Sequence, residues 1–280
     1  MSDVAKVFQK LKAQSEGALI GYVTAGDPEP EFTPIIAEAL VKGGVDIIEL
    51  GVPFSDPIAD GPTIQAASVR ALQAGTTPKM VLDIAGEIKR EFGVPVVLLT
   101  YFNPIFRMGM EKFFRLAKSF GVDGVVVPDL PIEEAELYRE AANSCGVDTI
   151  FLAAPSTSRE RLGKIVECTS GFLYVVSHFG VTGAREALED STVQLIKRIT
   201  PFTKERIPLA VGFGVSKPEH ARGIIDAGAD GVIVGSAFVN IVSKRQSEVD
   251  RMLEELKALA LKLKEATKRH ARKRIEKRVC

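Results

Sequence analysis

The 280-residue sequence is poor in cysteine. Its three cysteines, Cys145, Cys168 and Cys280, are odd in number and widely spaced, and no Cys-x-x-Cys pair occurs. Disulfide frameworks and structural zinc sites both rest on paired cysteines at characteristic spacings. The sequence therefore predicts no disulfide framework and no zinc site, and it indicates a protein of the reducing cytoplasm.

An excess of charge of one sign is also missing, because 36 Lys and Arg residues balance 36 Asp and Glu residues. A molecule without a net field offers no global attraction to nucleic acid or to an anionic membrane. The charge is uneven along the chain, since 13 basic and 6 acidic residues follow from Lys244 onward, a net of +7 that leaves −7 for the rest. We expect no nucleic-acid or membrane partner.

Long apolar runs are absent as well. No segment approaches the ~18 apolar residues that a membrane-spanning helix needs. The first 13 residues are charged and amphipathic, unlike the apolar core of a secretory signal. The sequence therefore predicts neither a membrane span nor a signal peptide.

A short signal recurs along the chain: a glycine, then Val or Ala, then Asp, directly before an apolar segment of strand length. The four copies are Gly44-Val45-Asp46, Gly121-Val122-Asp123, Gly146-Val147-Asp148 and Gly228-Ala229-Asp230. Four further apolar segments have the same length and spacing without the Asp: 18–24, 95–101, 172–177 and 208–214. Segments with helical periodicity lie between them. Eight alternating strands and helices in roughly 250 residues predict an α/β fold, a (β/α)8 TIM barrel.

We expect one TIM-barrel domain over residues 1–265 and a basic C-terminal extension over 266–280, helical or frayed. An extra N-terminal helix, about Val4 to Ala13, is positioned to plug the bottom of the barrel. An open doubly wound sheet is the alternative, but no Gly-x-Gly-x-x-Gly follows the first strand and no change of composition divides the chain. For the basic extension, a solvated helix end is favoured over a tail that binds nucleic acid or membrane.

Two carboxylates follow the second predicted strand, in the segment ELGVPFSDPIADGPTIQ. Glu49 ends the strand, on the same side as Val45 and Ile47 by alternation, and we expect it to point into the barrel. Asp60 lies in the following loop. Taken singly, Glu49 could be a core carboxylate held by backbone donors, and Asp60 could cap the helix that starts near Thr63. Together at the mouth of one barrel they favour an acid/base pair.

Glycines follow the seventh and eighth predicted strands, in VGFGVS and VGSA. Backbone N–H groups at a helix start bind anions, and these two loops are where a TIM barrel commonly holds phosphate. Tight turns are the plain alternative. We expect a phosphate site there, completed by Gly180 and Gly183.

The strand ends lack a lysine, and only His178 of the three histidines lies near the predicted mouth. A Schiff-base mechanism needs a lysine, and a catalytic metal needs several suitable ligands. Both routes are therefore disfavoured, while a flavin is neither required nor excluded.

Four motifs in the same order, ELGVPFSDPIADGPTIQ, YVVSHFGVTGAR, VGFGVS and VGSA, resemble the α subunit of tryptophan synthase, and the likeness extends over about Val4 to Val242. The resemblance implies a cofactor-free lyase that cleaves indole-3-glycerol phosphate to indole and glyceraldehyde 3-phosphate. It implies that Glu49 is the general acid/base and that Asp60 stabilises charge on the indole nitrogen. Tyr174 is grouped with this catalytic pair.

The resemblance also implies the substrate contacts. Tyr22, Tyr101 and Tyr174 would line the indole pocket, and the phosphate would be held by Gly183, Gly214, Gly235 and Ser236. Thr182, with Gly183, would close over Asp60 and the phosphate in a lid formed by residues 178–190. Two features depart from the family: His178 stands where Arg is common, and a basic segment extends past the usual end of the chain.

A partner follows from the resemblance too. A PLP-containing β subunit would receive indole through a tunnel in an α2β2 heterotetramer, near Asp56, Asn103, Pro104, Asp129 and Pro131. Two alternatives stay open from the sequence: a phosphate-binding barrel such as a sugar-phosphate isomerase, and a catalytically silent barrel that activates a partner.

Overall fold

The computed structural model describes residues 1–177, 190–212 and 214–269. Its strands are β1 (Ala18–Thr24), β2 (Ile47–Gly51), β3 (Val96–Leu99), β4 (Gly124–Val126), β5 (Asp148–Ile150), β6 (Leu152–Ala153), β7 (Leu173–Val176), β8 (Leu209–Gly212) and β9 (Gly231–Val234). They form one parallel sheet in the order β5-β4-β3-β2-β1-β9-β8-β7-β6. The strands at the two ends of this order, β5 and β6, are separated only by Phe151 and together occupy one strand position. The sheet closes into a barrel of eight positions, which confirms the predicted TIM barrel.

Helices surround the barrel. They are α1 (Asp3–Ala13), α2 (Phe32–Lys42), α3 (Pro62–Gln73), α4 (Pro78–Phe92), α5 (Phe102–Met108), α6 (Met110–Ser119), α7 (Glu136–Cys145), α8 (Arg159–Cys168), α9 (Asp190–Thr203), α10 (Pro218–Asp226), α11 (Ser236–Lys244) and α12 (Val249–Ala266). Within the described ranges, none of them is both long enough and apolar enough to cross a bilayer.

Helix α5 contains a proline close to its start. Pro104 is tolerated because it lies in the first turn, where no intrahelical N–H bond is needed. The start of the helix is secured from a distant loop, since Asp129 Oδ1 accepts the Phe102 N–H at 2.9 Å. No local sequence pattern predicts this hydrogen bond.

The amphipathic helix α1 closes the bottom of the barrel. Its apolar face, Val4, Phe8 and Leu11, packs on the inward side chains of the strands, and the rings of Phe8 and Phe172 lie 5.7 Å apart. Ser2 caps the helix by accepting the Ala5 N–H. The predicted plug is confirmed.

The recurring Asp residues fix the strand starts. Carboxylates of Asp46, Asp123 and Asp230 accept backbone N–H groups at the start of the preceding strand, from Leu19, Val96 and Leu209 at 2.8, 2.9 and 3.0 Å. The fourth copy differs, because Asp148 Oδ2 has no hydrogen-bond partner among the described residues. At the next strand start a serine takes the place of the Asp, since Thr149 N–H donates to Ser170 Oγ at 2.8 Å. The repeat is therefore a cap that joins neighbouring β/α units at the bottom of the barrel.

The chain after α12 packs against the segment that leads into β1. Gly17 N–H donates to Thr267 O at 2.9 Å, and Arg269 N–H donates to Ser15 O at 2.8 Å. Residues 267 and 269, which the sequence assigns to the extension, thus contact the segment that precedes β1. Residues 270–280 of the extension lie outside the described residues, and its separate character remains a prediction.

Candidate active site

Glu49 lies in the barrel mouth as the third of the five residues of β2, so the strand continues to Gly51 past the end that the sequence predicts for it. It pairs in register with Tyr22 of β1 and Val97 of β3, and its side chain is 1% exposed. Ile47 shares its interior side as expected, but Val45 lies before the strand and packs in the outer layer. Among the described residues neither Glu49 carboxylate oxygen has a hydrogen-bond partner. The alternative of a core carboxylate held by backbone donors is therefore not what the structure shows.

Burial sets the protonation of Glu49. Loss of solvation raises its pKa to about 8, and the neighbouring Asp60 carboxylate adds to the increase. A carboxyl group with this pKa holds its proton near neutral pH. Because no partner among the described residues stabilises the ionised form, the group still carries a proton to donate near neutral pH and, once ionised, is a stronger base than an ordinary carboxylate.

Asp60 lies between β2 and α3 and is held by side chains rather than by the helix. Helix α3 begins at Pro62 with Gly61 as N-cap and no side-chain cap, so Asp60 does not cap it. Instead the Tyr101 hydroxyl donates to Asp60 Oδ2 at 3.0 Å, and Gln65 Nε2 donates to the Asp60 carbonyl at 2.9 Å. Burial raises the pKa of Asp60, while the bond from Tyr101 opposes the increase.

One cavity joins the two carboxylates to the glycine-rich loops. It encloses about 580 Å³ of empty space, part of it open to solvent. Its lining residues are Tyr22, Glu49, Asp60, Gly61, Ile64, Leu99, Tyr174, Gly214, Ile233, Gly235 and Ser236. Seven of the predicted site residues therefore come together around one space. Tyr101 stands behind Asp60 instead, and His178, Thr182 and Gly183 lie outside the described residues.

Two buried tyrosines, Tyr22 and Tyr174, line the cavity with Glu49, and strand glycines make room for them. A Cβ at Gly212 would lie 2.7 Å from Tyr174 Oη, and a Cβ at Gly51 would overlap the Tyr22 hydroxyl. Tyr22 Oη shares a 3.2 Å hydrogen bond with Thr24 Oγ1. Burial raises the pKa of Tyr22 and of Tyr174 well above the ordinary value, so both phenols stay protonated.

The opposite end of the cavity is formed by backbone. Gly235 is the N-cap of the nine-residue helix α11, and no side chain caps that helix. Gly214 has a positive φ of 80°, a conformation that favours glycine. The sequence places a helix start at Ser216, but α10 begins at Pro218, so Gly214 contributes loop backbone rather than a helix terminus.

Comparison with known proteins agrees with this geometry. The family model "Tryptophan synthase alpha chain" matches residues 8–268. The chain belongs to the tryptophan synthase alpha chain family. The Methanosarcina barkeri member is 48% identical over 266 residues, covering 95% of this chain and 97% of that one.

Solved structures show the same likeness. Tryptophan synthase subunit alpha from Legionella pneumophila superposes with a TM-score of 0.86 at 37% identity, covering 95% of this chain and 98% of that one. A chain of Mycobacterium tuberculosis tryptophan synthase, in an aminoacrylate- and BRD0059-bound form, gives 0.86 at 35%, covering 96% and 99%. The protein is accordingly a lyase of tryptophan biosynthesis that cleaves indole-3-glycerol phosphate to indole and glyceraldehyde 3-phosphate. This finding sets aside the isomerase and silent-barrel alternatives.

Three apolar wall residues were missed from the sequence: Ile64, Leu99 and Ile233. Leu99 and Ile233 could have been found by alternation, since each is an inward position near the end of its strand. Ile64 depends on how α3 is rotated toward the mouth, which no local pattern fixes. Among the described residues, no cluster of His, Cys, Asp and Glu could hold a metal ion.

The residues assigned to a partner interface lie on the mouth face. Asp56, Asn103, Asp129 and Pro131 are exposed, and Pro104 is half-buried. Two large apolar side chains stand out beside them: Ile58 is 81% exposed and Phe106 is 66% exposed.

Proposed function

We propose that Glu49 is the general acid and base of the lyase reaction. The observation that carries this proposal is a carboxyl group that is 1% exposed, has no hydrogen-bond partner among the described residues and borders the cavity. Burying a carboxyl group without a hydrogen-bond partner costs free energy. Such burial also shifts its pKa toward neutral pH, as proton transfer in catalysis requires. No cofactor and no metal takes part in this proposal.

The cleavage needs two proton movements, and Glu49 can perform both. In the first, the protonated carboxyl group gives its proton to indole C3, and the ring becomes an indolenine cation. In the second, the carboxylate takes the proton of the C3′ hydroxyl. The carbon–carbon bond then breaks, its electron pair returns to the ring, and indole and the aldehyde are released.

Asp60 is proposed to stabilise the cation through the indole nitrogen. An ionised carboxylate near that nitrogen stabilises positive charge as it develops, which lowers the barrier. The hydrogen bond from Tyr101 favours the ionised form of Asp60. Tyr22 and Tyr174 line the same cavity as Glu49, where planar rings suit an indole ring.

The phosphate is proposed to bind at Gly214, Gly235 and Ser236. The first-turn N–H groups of α11 and the positive end of its dipole face an anion at this position. Gly183 and Thr182 are proposed to complete the site. The phosphate and the acid/base pair thus occupy opposite ends of one cavity, which orients the substrate between them.

A PLP-containing β subunit is proposed as the partner, in an α2β2 assembly in the cytoplasm that passes indole directly between sites. The exposed Ile58 and Phe106 support docking at the mouth face, together with Asp56, Asn103, Pro104, Asp129 and Pro131. Apolar side chains exposed on a rim of polar residues are typical of protein interfaces.

Indole release from indole-3-glycerol phosphate tests the catalytic roles. We expect the Glu49→Gln variant to lose turnover by at least ~10³-fold while still binding glycerol 3-phosphate, because the amide keeps the shape but cannot exchange the proton. Glu160→Gln, at an exposed side chain of α8, is the matched control and should behave as wild type. Turnover by Glu49→Gln within tenfold of wild type would refute the assignment.

The partner role has a separate test. Ile58→Ser and Phe106→Ser should weaken β-subunit binding at least tenfold without changing indole release by the isolated chain, because they remove apolar interface area. Leu261→Ser, at a 49% exposed position of α12, is the control surface. If all three variants bind the β subunit equally well, the mouth face is not the interface.

A further inference from the structure

The Tyr101 hydroxyl bridges two consecutive residues of the loop that carries Asp60. It accepts the Ala59 N–H at 3.0 Å and donates to Asp60 Oδ2 at 3.0 Å. The Tyr101 side chain is 2% exposed, and its ring stacks on Phe54 with centroids 5.2 Å apart. One phenol, on the N-cap residue of α5 just after β3, thus contacts both ends of the loop, Phe54 at its start and Asp60 at its end.

Few other contacts from the described residues support this loop. Ser55, Asp56, Ile58 and Ala59 are exposed, and Ile58 is 81% exposed. Apart from its own internal turns, the loop end is held by the Gln65 bond to the Asp60 carbonyl and by the two bonds of Tyr101. Among the described residues, Tyr101 alone donates a hydrogen bond to the Asp60 carboxylate.

We propose that Tyr101 is a positioning residue that acts through Asp60, fixing the direction of its carboxylate and keeping it ionised. The proposal rests on the role of Asp60 in the proposed function, and it differs from a role for Tyr101 as a wall of the indole pocket. The cavity wall does not include Tyr101 in the described structure. A hydroxyl behind the carboxylate can set its charge and direction without touching indole.

The electrostatics of the site make such a donor useful. Burial raises the pKa of Asp60, and the donated hydrogen bond works in the opposite direction. Burial and the Asp60 charge raise the pKa of Tyr101 well above the ordinary phenol value, so the proton stays on Tyr101. The other titratable groups around the pair are Tyr22, Glu49, Tyr174 and Asp129. None of them is a donor to Asp60 in the described structure.

The Tyr101→Phe variant tests the proposal because it keeps the ring and removes only the hydroxyl. Tyr138→Phe is the matched control, since Tyr138 is also 2% exposed but bonds the Val125 carbonyl in the outer layer. We expect Tyr101→Phe to lower kcat roughly tenfold near neutral pH, in the range for loss of a hydrogen bond to a charged group. KM should change less than about twofold, and the acid limb of the kcat profile should move up by about one pH unit.

The same substitution in an Asp60→Asn chain distinguishes a positioning role of Tyr101 from general damage to the site. In an Asp60→Asn chain the carboxylate is gone, so adding Tyr101→Phe should change the residual kcat by less than about twofold. The pH profile of Tyr101→Phe alone tests the proposal even where the residual kcat of the Asp60→Asn chain is too low to compare. An unshifted acid limb, a rise in KM alone, or a full tenfold loss in the Asp60→Asn background would overturn the proposal. Wild-type turnover by Asp60→Asn itself would instead refute the role of Asp60.

Discussion

Replacing Glu49 by Gln should stabilise the protein while it abolishes turnover. The pKa of Glu49 is raised from 4.5 to about 8 in the folded chain. Below about pH 4.5 both states hold the proton and the group contributes no penalty. As pH rises above that value, the unfolded chain ionises while the folded chain does not, so the carboxyl group destabilises the fold increasingly until the pH passes about 8.

The magnitude follows from the same pKa. Each pH unit over which only the unfolded chain is ionised costs about 1.4 kcal/mol. At about pH 7 the penalty is therefore about 3 kcal/mol, and above about pH 8 it reaches about 5 kcal/mol. The Glu49 side chain is 1% exposed, so solvent screening does not reduce this value. Glutamine matches the shape of the neutral acid and has no ionised form, so the variant avoids the penalty.

Urea unfolding of wild type and Glu49→Gln at about pH 5, pH 7 and pH 8.5 measures this pH-dependent penalty. We expect the gain in the free energy of unfolding to be below about 1 kcal/mol at the lowest pH and to grow with pH. Glu160→Gln should stay within about 0.5 kcal/mol throughout. A gain that does not depend on pH, or a variant less stable than wild type at about pH 7, would show that Glu49 does not carry a raised pKa.

Two further substitutions test other parts of the site, and a third tests a buried ion pair between Arg70 and Asp27. Gly235→Asp should raise KM at least tenfold, whereas the neutral Gly235→Asn should raise it less, because a Cβ there meets Tyr22 no closer than 3.4 Å and the added charge opposes phosphate. Gly212→Ala should lower kcat about tenfold in indole-release assays by displacing Tyr174, whose Oη would lie 2.7 Å from the new Cβ. Arg70→Ala should lower the free energy of unfolding by about 3–5 kcal/mol in urea titrations, since it leaves the buried Asp27 carboxylate without its two bonds of 2.7 and 2.8 Å. Unchanged KM, kcat or unfolding midpoint, respectively, would contradict each expectation.

Much of the barrel was predictable because its signals are local. Strand β1 has the bounds expected from its apolar segment, and the position of Glu49 follows from alternation along β2. The fold also dictates that the ends of parallel strands meet, which is how Glu49 and Gly235 could be assigned to one site.

What could not be predicted depends on contacts between distant segments. The bond from Asp129 that starts α5 joins residues 27 positions apart, and the bond from Tyr101 to Asp60 spans 41. The orientation of Tyr101 toward Asp60 instead of the cavity is decided by where the loop lies over β3. No periodicity or motif contains that information.

The carboxylate caps at the bottom of the barrel bear on the order in which the barrel assembles during synthesis. Each of these bonds joins residues only 21 or 27 positions apart, from Asp46 to Leu19, Asp123 to Val96 and Asp230 to Leu209. A nascent chain can thus secure each strand start as soon as the next unit emerges. The pairing of β1 with β9 is different, because it joins Ala18 to Gly231 and must wait for nearly the whole chain. We therefore expect ring closure to be the late step of folding, after a stack of locally secured units has formed.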